Sequence, residues 1–155
     1  MIEIKELHKS FDGIPILNNI STKFDQGKTN LIIGQSGSGK TVLLKCLLGL
    51  HQPDTGEVLY DGISNNKMNE NQKTLLRREM GMVFQGSALF DSMSVLENVM
   101  FPMKMLTNKN EDEIIERSQN VIKRVELNKA ENKLPSELSG GMQKRVAIAL
   151  SLIHI

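Results

Sequence analysis

The sequence predicts an α/β fold, and three observations carry this prediction. A glycine-rich loop over 34–41 lies between a continuous apolar run, 29–33, and a stretch with helical periodicity. Apolar residues alternate over 2–7 and recur over 14–24, with an Asp-Gly turn between the two runs, as in a pair of antiparallel strands. From residue 94 onwards the pattern is mainly helical. These features predict a strand, loop and helix unit that has an antiparallel β lead-in before it and helices after it.

Turn signals define the shorter elements in the middle of the chain. The run at 29–33 lacks polar alternation, which is typical of a strand buried on both faces. Clusters of glycine, proline and aspartate then separate the elements that follow. These are a strand over 57–60, a helix from about 74 to 79 and a strand over 81–84 that stops at Gln85.

Helical patterns fill the remainder of the sequence. Residues 94–105 are apolar on more than one face, whereas 111–127 is amphipathic. The first turn of the amphipathic stretch is acidic and its end is basic, as the helix dipole favours. A loop over 136–141 opens a final helix. We expect one domain over 1–155 in which a helical subdomain covers about 90–145.

The glycine-rich loop has the G-x-x-x-x-G-K-[ST] spacing of a phosphate-binding loop. Its glycines let the backbone curl, so that N–H groups converge on an anion at the start of a helix whose dipole favours negative charge. Lys40 would reach the β- and γ-phosphates of a nucleotide, and Thr41 would offer its hydroxyl to Mg²⁺. The predicted nucleotide-binding residues of this loop are Gly34, Gln35, Ser36, Gly37, Ser38, Gly39, Lys40 and Thr41.

Composition and charge exclude several other classes of function. The chain of 155 residues is 39% hydrophobic and 24% charged, which is typical of a globular domain. A net charge of +1 gives no strong field, so no nucleic-acid partner is expected. The single cysteine, Cys46, has leucine neighbours and is predicted to be a buried hydrophobe, which fits a reducing cytoplasm. No apolar run approaches the ~20 residues that cross a bilayer, so membrane contact is expected only through a partner.

A second loop, 138–145, reads Leu-Ser-Gly-Gly-Met-Gln-Lys-Arg and closely resembles the signature motif of ATP-binding cassette (ABC) ATPases. Phe11 matches the aromatic position that stacks on adenine in this family, and Gln85 matches its glutamine loop. The resemblance covers the whole chain and implies a P-loop NTPase fold that binds ATP and Mg²⁺. It implies that Lys40 and Thr41 hold phosphate and Mg²⁺, and that Gln85 ligates Mg²⁺ and senses the attacking water. Lys40 and Gln85 are thus the expected catalytic residues.

The resemblance also implies that the signature motif acts on a second copy of the ATPase. Ser139 and Gly141 would face the γ-phosphate bound by that copy. Physical reasoning agrees, because Ser139 is a good N-cap and the N–H groups of Gly140, Gly141 and Met142 at a helix start form a second anion site. Two anion sites on one chain suggest a head-to-tail dimer around two nucleotides. Met142 departs from most of the family, which carries glutamine there; its backbone N–H remains, but a side-chain polar contact is lost.

The run 81–95 is similar to the ATPases of bacterial importers that traffic phospholipid to maintain lipid asymmetry. This similarity implies a membrane permease as a partner and a cytoplasmic position at the inner face of the cell membrane. A set of methionine and phenylalanine side chains is expected either to form an adaptable groove for a coupling helix of the permease or to pack in a helical core. The set is Met93, Met100, Phe101, Met103 and Met105.

The catalytic carboxylates of the family follow the signature helix on an apolar strand that ends in Asp-Glu, and a histidine ends a later strand. Asp61 and Asp91 follow apolar runs in this chain, but glutamate follows neither of them. His8, His51 and His154 have no metal-ligand spacing and are expected to be ordinary surface or turn residues. The sequence is therefore expected to end before the Walker B strand and to lack both the general-base glutamate and the switch histidine.

Two functions remain open on these observations. One is an ABC transporter ATPase whose intact form hydrolyses ATP to drive a permease. The other is a nucleotide-binding fragment or regulatory module without turnover. A P-loop kinase or GTPase would not explain the signature motif.

In P-loop ATPases of this type the strand before the phosphate loop lies between strands that come later in the chain, so 29–33 is expected to lack neighbours. Unpaired backbone groups cost about 1–3 kcal/mol each when buried, which predicts a chain that is marginally folded, insoluble or strand-swapped.

Overall fold

The computed structural model describes residues 1–84 and 86–153, which form mixed α/β structure. The strands are β1 (Ile2–Phe11), β2 (Ile14–Phe24), β3 (Thr55–Tyr60) and β4 (Ile63–Ser64). The helices are α1 (Lys40–Leu47), α2 (Glu70–Arg78), α3 (Val95–Leu106), α4 (Glu111–Arg124) and α5 (Gly140–Leu152). The chain divides into two units, Met1–Arg77 and Arg78–Ile155, which are described separately below. Within the described residues, no helix is long and apolar enough to cross a membrane.

The first unit contains an antiparallel sheet with the strand order β2-β1-β3-β4. Asp12 and Gly13 join β1 to β2, with φ angles of +50° and +78°. Two consecutive left-handed residues form the tight turn that matches the twist of a hairpin. This turn places Phe11 opposite Ile14 at the tip of the hairpin. The predicted antiparallel lead-in is therefore confirmed.

A bulge in β1 fixes how this strand meets β3. Glu6 has a φ of +48° and its N–H donates to the Ser21 hydroxyl over 2.9 Å. The pairing of β1 with β3 shifts register between Lys5 and His8, beside this residue. Gly56 of β3 lies against the bulge with a φ of +83°, and a Cβ there would lie 2.3 Å from the Glu6 carbonyl oxygen. Only glycine fits this point of the sheet.

The second unit is built from α3, α4 and α5. Reciprocal side-chain and backbone hydrogen bonds cap α3 through Ser94 and Glu97, and α4 through Asn110 and Glu113. The inward faces of the three helices and the segments between them supply a continuous apolar core. Its buried residues are Val95, Val99, Met100, Met103, Ile114, Val121, Ile122, Leu127, Ala130, Leu138, Val146, Ala149 and Ile153.

Two predicted strands, 29–33 and 81–84, are absent from the described structure, so these predictions are wrong. In the first segment, Leu31 and Ile33 are each 82% exposed. A strand exists only when a neighbour accepts and donates its backbone hydrogen bonds, and β1 to β4 pair with one another and with neither segment. The expectation that 29–33 lacks neighbouring strands is confirmed within the described residues. An apolar run identifies a segment that can enter a sheet, but it does not supply the partners.

The other sequence predictions differ from the structure mainly at the ends of elements. The helix expected from about 74 begins at Glu70, because Asn69 and Gln72 exchange side-chain and backbone hydrogen bonds of 2.9 and 3.0 Å at its start. The short strand β4 lies in a stretch without hydrophobic alternation, so the pattern gave no signal for it. The helices expected near 41–49, 94–105, 111–127 and after 139 are confirmed with small shifts at their ends.

The contact between Gly56 and the β1 bulge yields a stability prediction with a matched control. Gly62 in the β3–β4 turn has nearly the same φ, +82°, but a Cβ there would meet nothing within 4 Å. Gly62→Ala should therefore cost only the left-handed backbone strain, about 1–2 kcal/mol. Gly56→Ala should cost about 1–3 kcal/mol more, because its methyl group also overlaps the Glu6 carbonyl. Urea unfolding of both variants measures the difference; equal losses would contradict the crowding.

Candidate functional site

The phosphate-binding loop enters α1 through a glycine that no other residue can replace without strain. Gly39 is the N-cap residue of α1 and has a φ of +87°. A Cβ at this position would lie 3.0 Å from both the Ile16 carbonyl oxygen and Leu17 Cδ2 of β2. The left-handed backbone and the close approach of β2 both require glycine here. The loop and the start of α1 are thus fixed against the sheet.

The side chain of Lys40 lies within the curl of this loop. Its Nζ donates to the carbonyl oxygens of Gly34 over 2.8 Å and Gln35 over 2.6 Å, and to the Ser38 hydroxyl over 3.4 Å. These acceptors are neutral, so the ammonium charge is not balanced by any of them. Phosphate oxygens form stronger, charge-assisted hydrogen bonds with an ammonium group. A bound phosphate can therefore replace some of these contacts favourably.

Backbone donors at the start of α1 complete an anion site. The first hydrogen bond of the helix runs from Leu43 N–H to the Gly39 carbonyl over 2.8 Å. The N–H groups of Lys40, Thr41 and Val42 precede this bond, and helix geometry gives them no intrahelical acceptor. No side chain in the described parts of the chain caps this end. Thr41 is exposed, so its hydroxyl is accessible to a metal ion that a nucleotide brings.

The opposite end of α1 is tied to β3. The Tyr60 hydroxyl donates to the carbonyl of Leu47, the last residue of α1, and both residues are buried. Burial raises the pKa of the Tyr60 phenol to about 12, although the Arg77 charge opposes part of this rise. Cys46 in the same turn is fully buried, as predicted, and burial raises the pKa of its thiol as well. The helix that begins at the phosphate loop is therefore anchored at both ends.

Phe11, the predicted adenine platform, lies at the end of β1 and is 39% exposed. The His51 ring packs against it at a centroid distance of 5.4 Å and an interplanar angle of 69°. The Lys9 ammonium group lies 5.3 Å from the centroid of the Phe11 ring. Phe11 pairs with Ile14 of β2, and two residues further along β2 the backbone of Ile16 lies against Gly39. The first residues of β2 therefore place the Phe11 ring and the phosphate loop in one region.

Sequence reasoning missed His51, which was expected to be an ordinary surface or turn residue. The contact with Phe11 joins residues that are distant in the chain, and no local pattern signals such a contact. His51 lies four residues beyond the last residue of α1, and its N–H donates to the Lys45 carbonyl over 3.1 Å. The link between Phe11 and the end of α1 becomes visible only in the folded unit.

The signature loop lies in the second unit and opens α5. Ser139 is the N-cap, and its hydroxyl accepts the N–H of Met142 over 3.3 Å. The N–H of Met142, expected to be free, is therefore already used by the cap. The N–H groups of Gly140 and Gly141 precede the first helical bond and remain available. Added Cβ atoms at these glycines would meet open space or only the Ser139 hydroxyl at 4.0 Å, so an anion can approach the backbone closely.

The described structure separates the predicted site residues into two groups. Phe11 and the phosphate loop belong to the first unit, and the signature loop belongs to the second. Gln85, the predicted ligand of Mg²⁺, lies outside the described residues. The methionines expected to form either a groove or a core are also divided: Met100 and Met103 are buried in the core, whereas Met105 is exposed.

A separate apolar cavity of about 300 Å³ lies within the second unit. Phe101, from the predicted groove, lines it together with Phe90, and their rings pack edge to face at 4.9 Å. The buried Asn98 amide fixes this region, because it accepts from Phe90 N–H over 2.8 Å and donates to the carbonyls of Phe90, Met93 and Ser94 over 2.9–3.1 Å. The cavity is thus shaped by a rigid turn before α3.

Comparison with known proteins places this chain in a family. The sequence pattern of the ABC transporter family matches residues 17–154. The chain is 41% identical over 151 residues to the lipoprotein-releasing system ATP-binding protein LolD of Buchnera aphidicola subsp. Schizaphis graminum, covering 97% of this chain and 66% of that protein. It is 40% identical over 152 residues to the glutamine transport ATP-binding protein GlnQ of Escherichia coli K12, covering 98% of this chain and 63% of that protein. The chain spans about two thirds of the length of these relatives.

Solved structures agree with this placement. The dimeric structure of MJ0796, a bacterial ABC transporter cassette, superimposes with a TM-score of 0.87 and 34% identity, covering 99% of this chain and 70% of that one. A dimeric structure of MJ0796 in a post-hydrolysis state, bound to ADP and Pi, gives the same TM-score with 33% identity. The α/β fold predicted as ABC ATPase-like is therefore confirmed.

The buried hydroxyl of Tyr60 yields a pH prediction. A phenol held neutral to about pH 12 in the folded state ionises near pH 10 once unfolded, so the free energy of unfolding should fall as pH rises from about 10 to about 12. Tyr60→Phe should lose about 1–3 kcal/mol at neutral pH, because the Leu47 carbonyl is left unpaired, and should remove the part of that pH dependence that comes from Tyr60, leaving the part that comes from the buried Cys46 thiol. Tyr60 is the only tyrosine, so tyrosinate absorbance follows it directly. Ionisation of the folded protein near pH 10 would contradict the burial.

Proposed function

Since this chain belongs to the ABC transporter family as an ATP-binding domain, we propose that its intact form couples the binding and hydrolysis of ATP to transport across a membrane. The observation that carries the proposal is the position of Lys40. Its ammonium group lies among neutral acceptors of the phosphate loop, at the uncapped start of α1. Positive charge and backbone donors thus face the same small space, as binding of a nucleotide triphosphate requires.

Different residues of the first unit would bind different parts of the nucleotide. Lys40 and the N–H groups at the start of α1 would bind the phosphates, and the Phe11 ring would stack on adenine. Within the described residues, no group of three or more histidine, cysteine, aspartate and glutamate side chains could hold a metal ion. Mg²⁺ would be held by the Thr41 hydroxyl, by Gln85 and by the phosphates of the nucleotide, where it would neutralise phosphate charge. The exposed Thr41 hydroxyl beside the loop fits this role.

A second ATPase subunit would complete the site in a head-to-tail dimer. The two backbone donors at Gly140 and Gly141, beside the Ser139 hydroxyl, form a small anion site that fits the γ-phosphate held by the partner's loop. The solved structures of MJ0796 are dimeric, which supports the proposal of a dimer. Met142 would add no side-chain hydrogen bond there, so recognition would rest on the backbone and on Ser139.

A membrane permease is the other partner we propose. The chain, which we expect to form an ATP-binding domain over 1–155, would lie at the cytoplasmic face of the cell membrane. The helical subdomain, about 90–145, would carry the contact, and the apolar cavity of about 300 Å³ beside Phe101 could receive an apolar side chain from a helix of the permease. Phospholipid is the transported class that the run 81–95 favours. Identities of 41% to LolD and 40% to GlnQ are alike, so overall identity does not distinguish among substrates.

Replacement of Lys40 tests the phosphate site. Lys40→Ala should abolish binding of MgATP by the folded chain, because the charge within the loop is lost. Lys45→Ala removes a lysine from the same helix that makes none of these loop contacts, and it should bind MgATP like the unchanged protein. Calorimetry measures both variants. Unchanged affinity of the Lys40 variant would overturn the proposal, and Lys40-dependent release of phosphate would separate an ATPase from a module that only binds nucleotide.

Replacement of Phe11 tests the base site. Phe11→Ala should weaken ATP binding by about 1–3 kcal/mol, as loss of an aromatic platform does for stacked bases. Adenine and guanine nucleotides should lose affinity equally, because a π-face discriminates poorly between bases. Phe11→Tyr keeps the ring and should bind like the unchanged protein. Equal affinity of the alanine and tyrosine variants for ATP would remove Phe11 from the site.

A further inference from the structure

The carboxylate of Asp54 continues the hydrogen bonding along the edge of β1, beyond the residues that pair with β3. Pairing of β1 with β3 reaches His8 opposite Thr55, and Asp54 N–H then donates to the His8 carbonyl over 2.9 Å. One residue pair further on, β3 offers no backbone to Ser10. Instead the Asp54 side chain accepts the Ser10 N–H over 2.6 Å. A side chain thus stands where the next strand residue would lie, immediately before Phe11.

The same carboxylate holds the cation that lies against the Phe11 ring. The second oxygen of Asp54 contacts Lys9 Nζ at 2.6 Å, and the Lys9 side chain is only 16% exposed. Lys9 Nζ in turn lies 5.3 Å from the Phe11 ring centroid, within the range of a cation–π interaction. Hydrogen bonds from Lys9 and Ser10 lower the pKa of the Asp54 carboxyl, so it is ionised at neutral pH. Asp54 therefore controls both the backbone before Phe11 and the charge beside its ring.

A third contact comes from the loop that Asp54 pins. His51 lies on the connection between α1 and Asp54, and its ring packs edge to face with Phe11 at 5.4 Å. Its backbone is fixed to the last turn of α1 through the Lys45 carbonyl. If the Asp54 contacts were lost, the loop would be free to leave the hairpin tip, and Phe11 would lose neighbours on two sides.

We propose that Asp54 is a positioning residue for base recognition, which holds the Phe11 ring in the orientation that stacks on a nucleobase. The proposal rests on the proposed function, in which Phe11 is the adenine platform. A partly exposed ring at a hairpin tip would otherwise have to be ordered when the nucleotide binds, and this ordering reduces affinity. Because Asp54 orders the Phe11 ring when the chain folds, nucleotide binding does not have to order it. Asp54 acts on the nucleotide only through Phe11.

A double-mutant cycle with two ligands tests this role. Binding of MgATP and of magnesium tripolyphosphate, which has no base, is measured by calorimetry for Asp54→Ala, Phe11→Ala and the double variant. Asp54→Ala should weaken MgATP about threefold to tenfold, the effect of removing hydrogen bonds that act through one neighbour. It should leave tripolyphosphate binding unchanged. In the Phe11→Ala background the Asp54 change should cause no further loss, since its only route to the base is gone.

Controls separate this role from general destabilisation. Asp61 also pairs with a cation at 2.6 Å, the N-terminal ammonium group, but it has no contact with Phe11, so Asp61→Ala should bind both ligands normally. If the far-ultraviolet circular dichroism of Asp54→Ala shows that it is unfolded, Lys9→Met and Asp54→Asn replace it in the same cycle. Their affinities for MgATP and tripolyphosphate, with and without Phe11→Ala, then decide the proposal in the same way. Lys9→Met removes the charge beside the ring, and Asp54→Asn keeps an acceptor for Ser10.

The outcomes distinguish this proposal from the proposed function. MgATP that fails to bind, or that binds independently of Lys40, would overturn the proposed function itself. A parallel loss of MgATP and tripolyphosphate on changing Asp54 would show that it supports the phosphate loop instead of the base. Additive losses for Asp54 and Phe11, or no loss on changing Asp54, would also overturn its positioning role while leaving nucleotide binding in place.

Discussion

The close approach of Gly39 to β2 is the contact on which the geometry of the first unit depends. The phosphate loop must reverse the chain and start a helix in one step, and it does so directly against a strand. A side chain at this point would meet the backbone of Ile16 and the side chain of Leu17. The contact therefore sets the position of α1, and the hairpin that carries Phe11 is built on the same strand. Under the proposed function, binding of base and phosphate would thus depend on one piece of backbone packing.

Helix α1 links the separate parts of the proposed nucleotide site. Its first turn faces the phosphate loop, its last turn is held by Tyr60, and the chain that leaves it carries His51 and Asp54 to the hairpin tip. The eight-residue helix is short, about 12 Å at 1.5 Å per residue, so a displacement of one end moves the other end by a similar distance. Charges at the tip are satisfied locally by Lys9 and Asp54, which leaves the Lys40 charge as the available cation of the loop.

The sequence was sufficient for features that depend on neighbouring residues. The hairpin follows from Asp12 and Gly13, which tolerate left-handed backbone, and the start of α5 follows from the N-cap preference of Ser139. The phosphate loop follows from a spacing that few other structures require. Each of these is a local choice, and the structure adopts it.

Features that depend on distant residues could not be predicted in this way. The apolar run at 29–33 describes what a strand needs to be buried, but the run itself does not say whether a pairing strand is present. Only the family resemblance predicted that neighbours would be missing, and Leu31 lies exposed. Asp54 reads as an ordinary turn residue, because Ser10 and Lys9 approach it only after β1 and β3 have paired. The free donors at the signature loop were overestimated for a related reason, since Ser139 uses one of them as it caps the helix.

The position of Tyr60 has a practical consequence. The chain contains one tyrosine and no tryptophan, so its intrinsic fluorescence in the near ultraviolet comes almost entirely from a single phenol ring. That ring is buried, and its hydroxyl is bound to the last carbonyl of α1. Emission of a phenol depends on the acceptor of its hydroxyl proton. The protein therefore carries a natural optical label at the far end of the helix that begins at the phosphate loop.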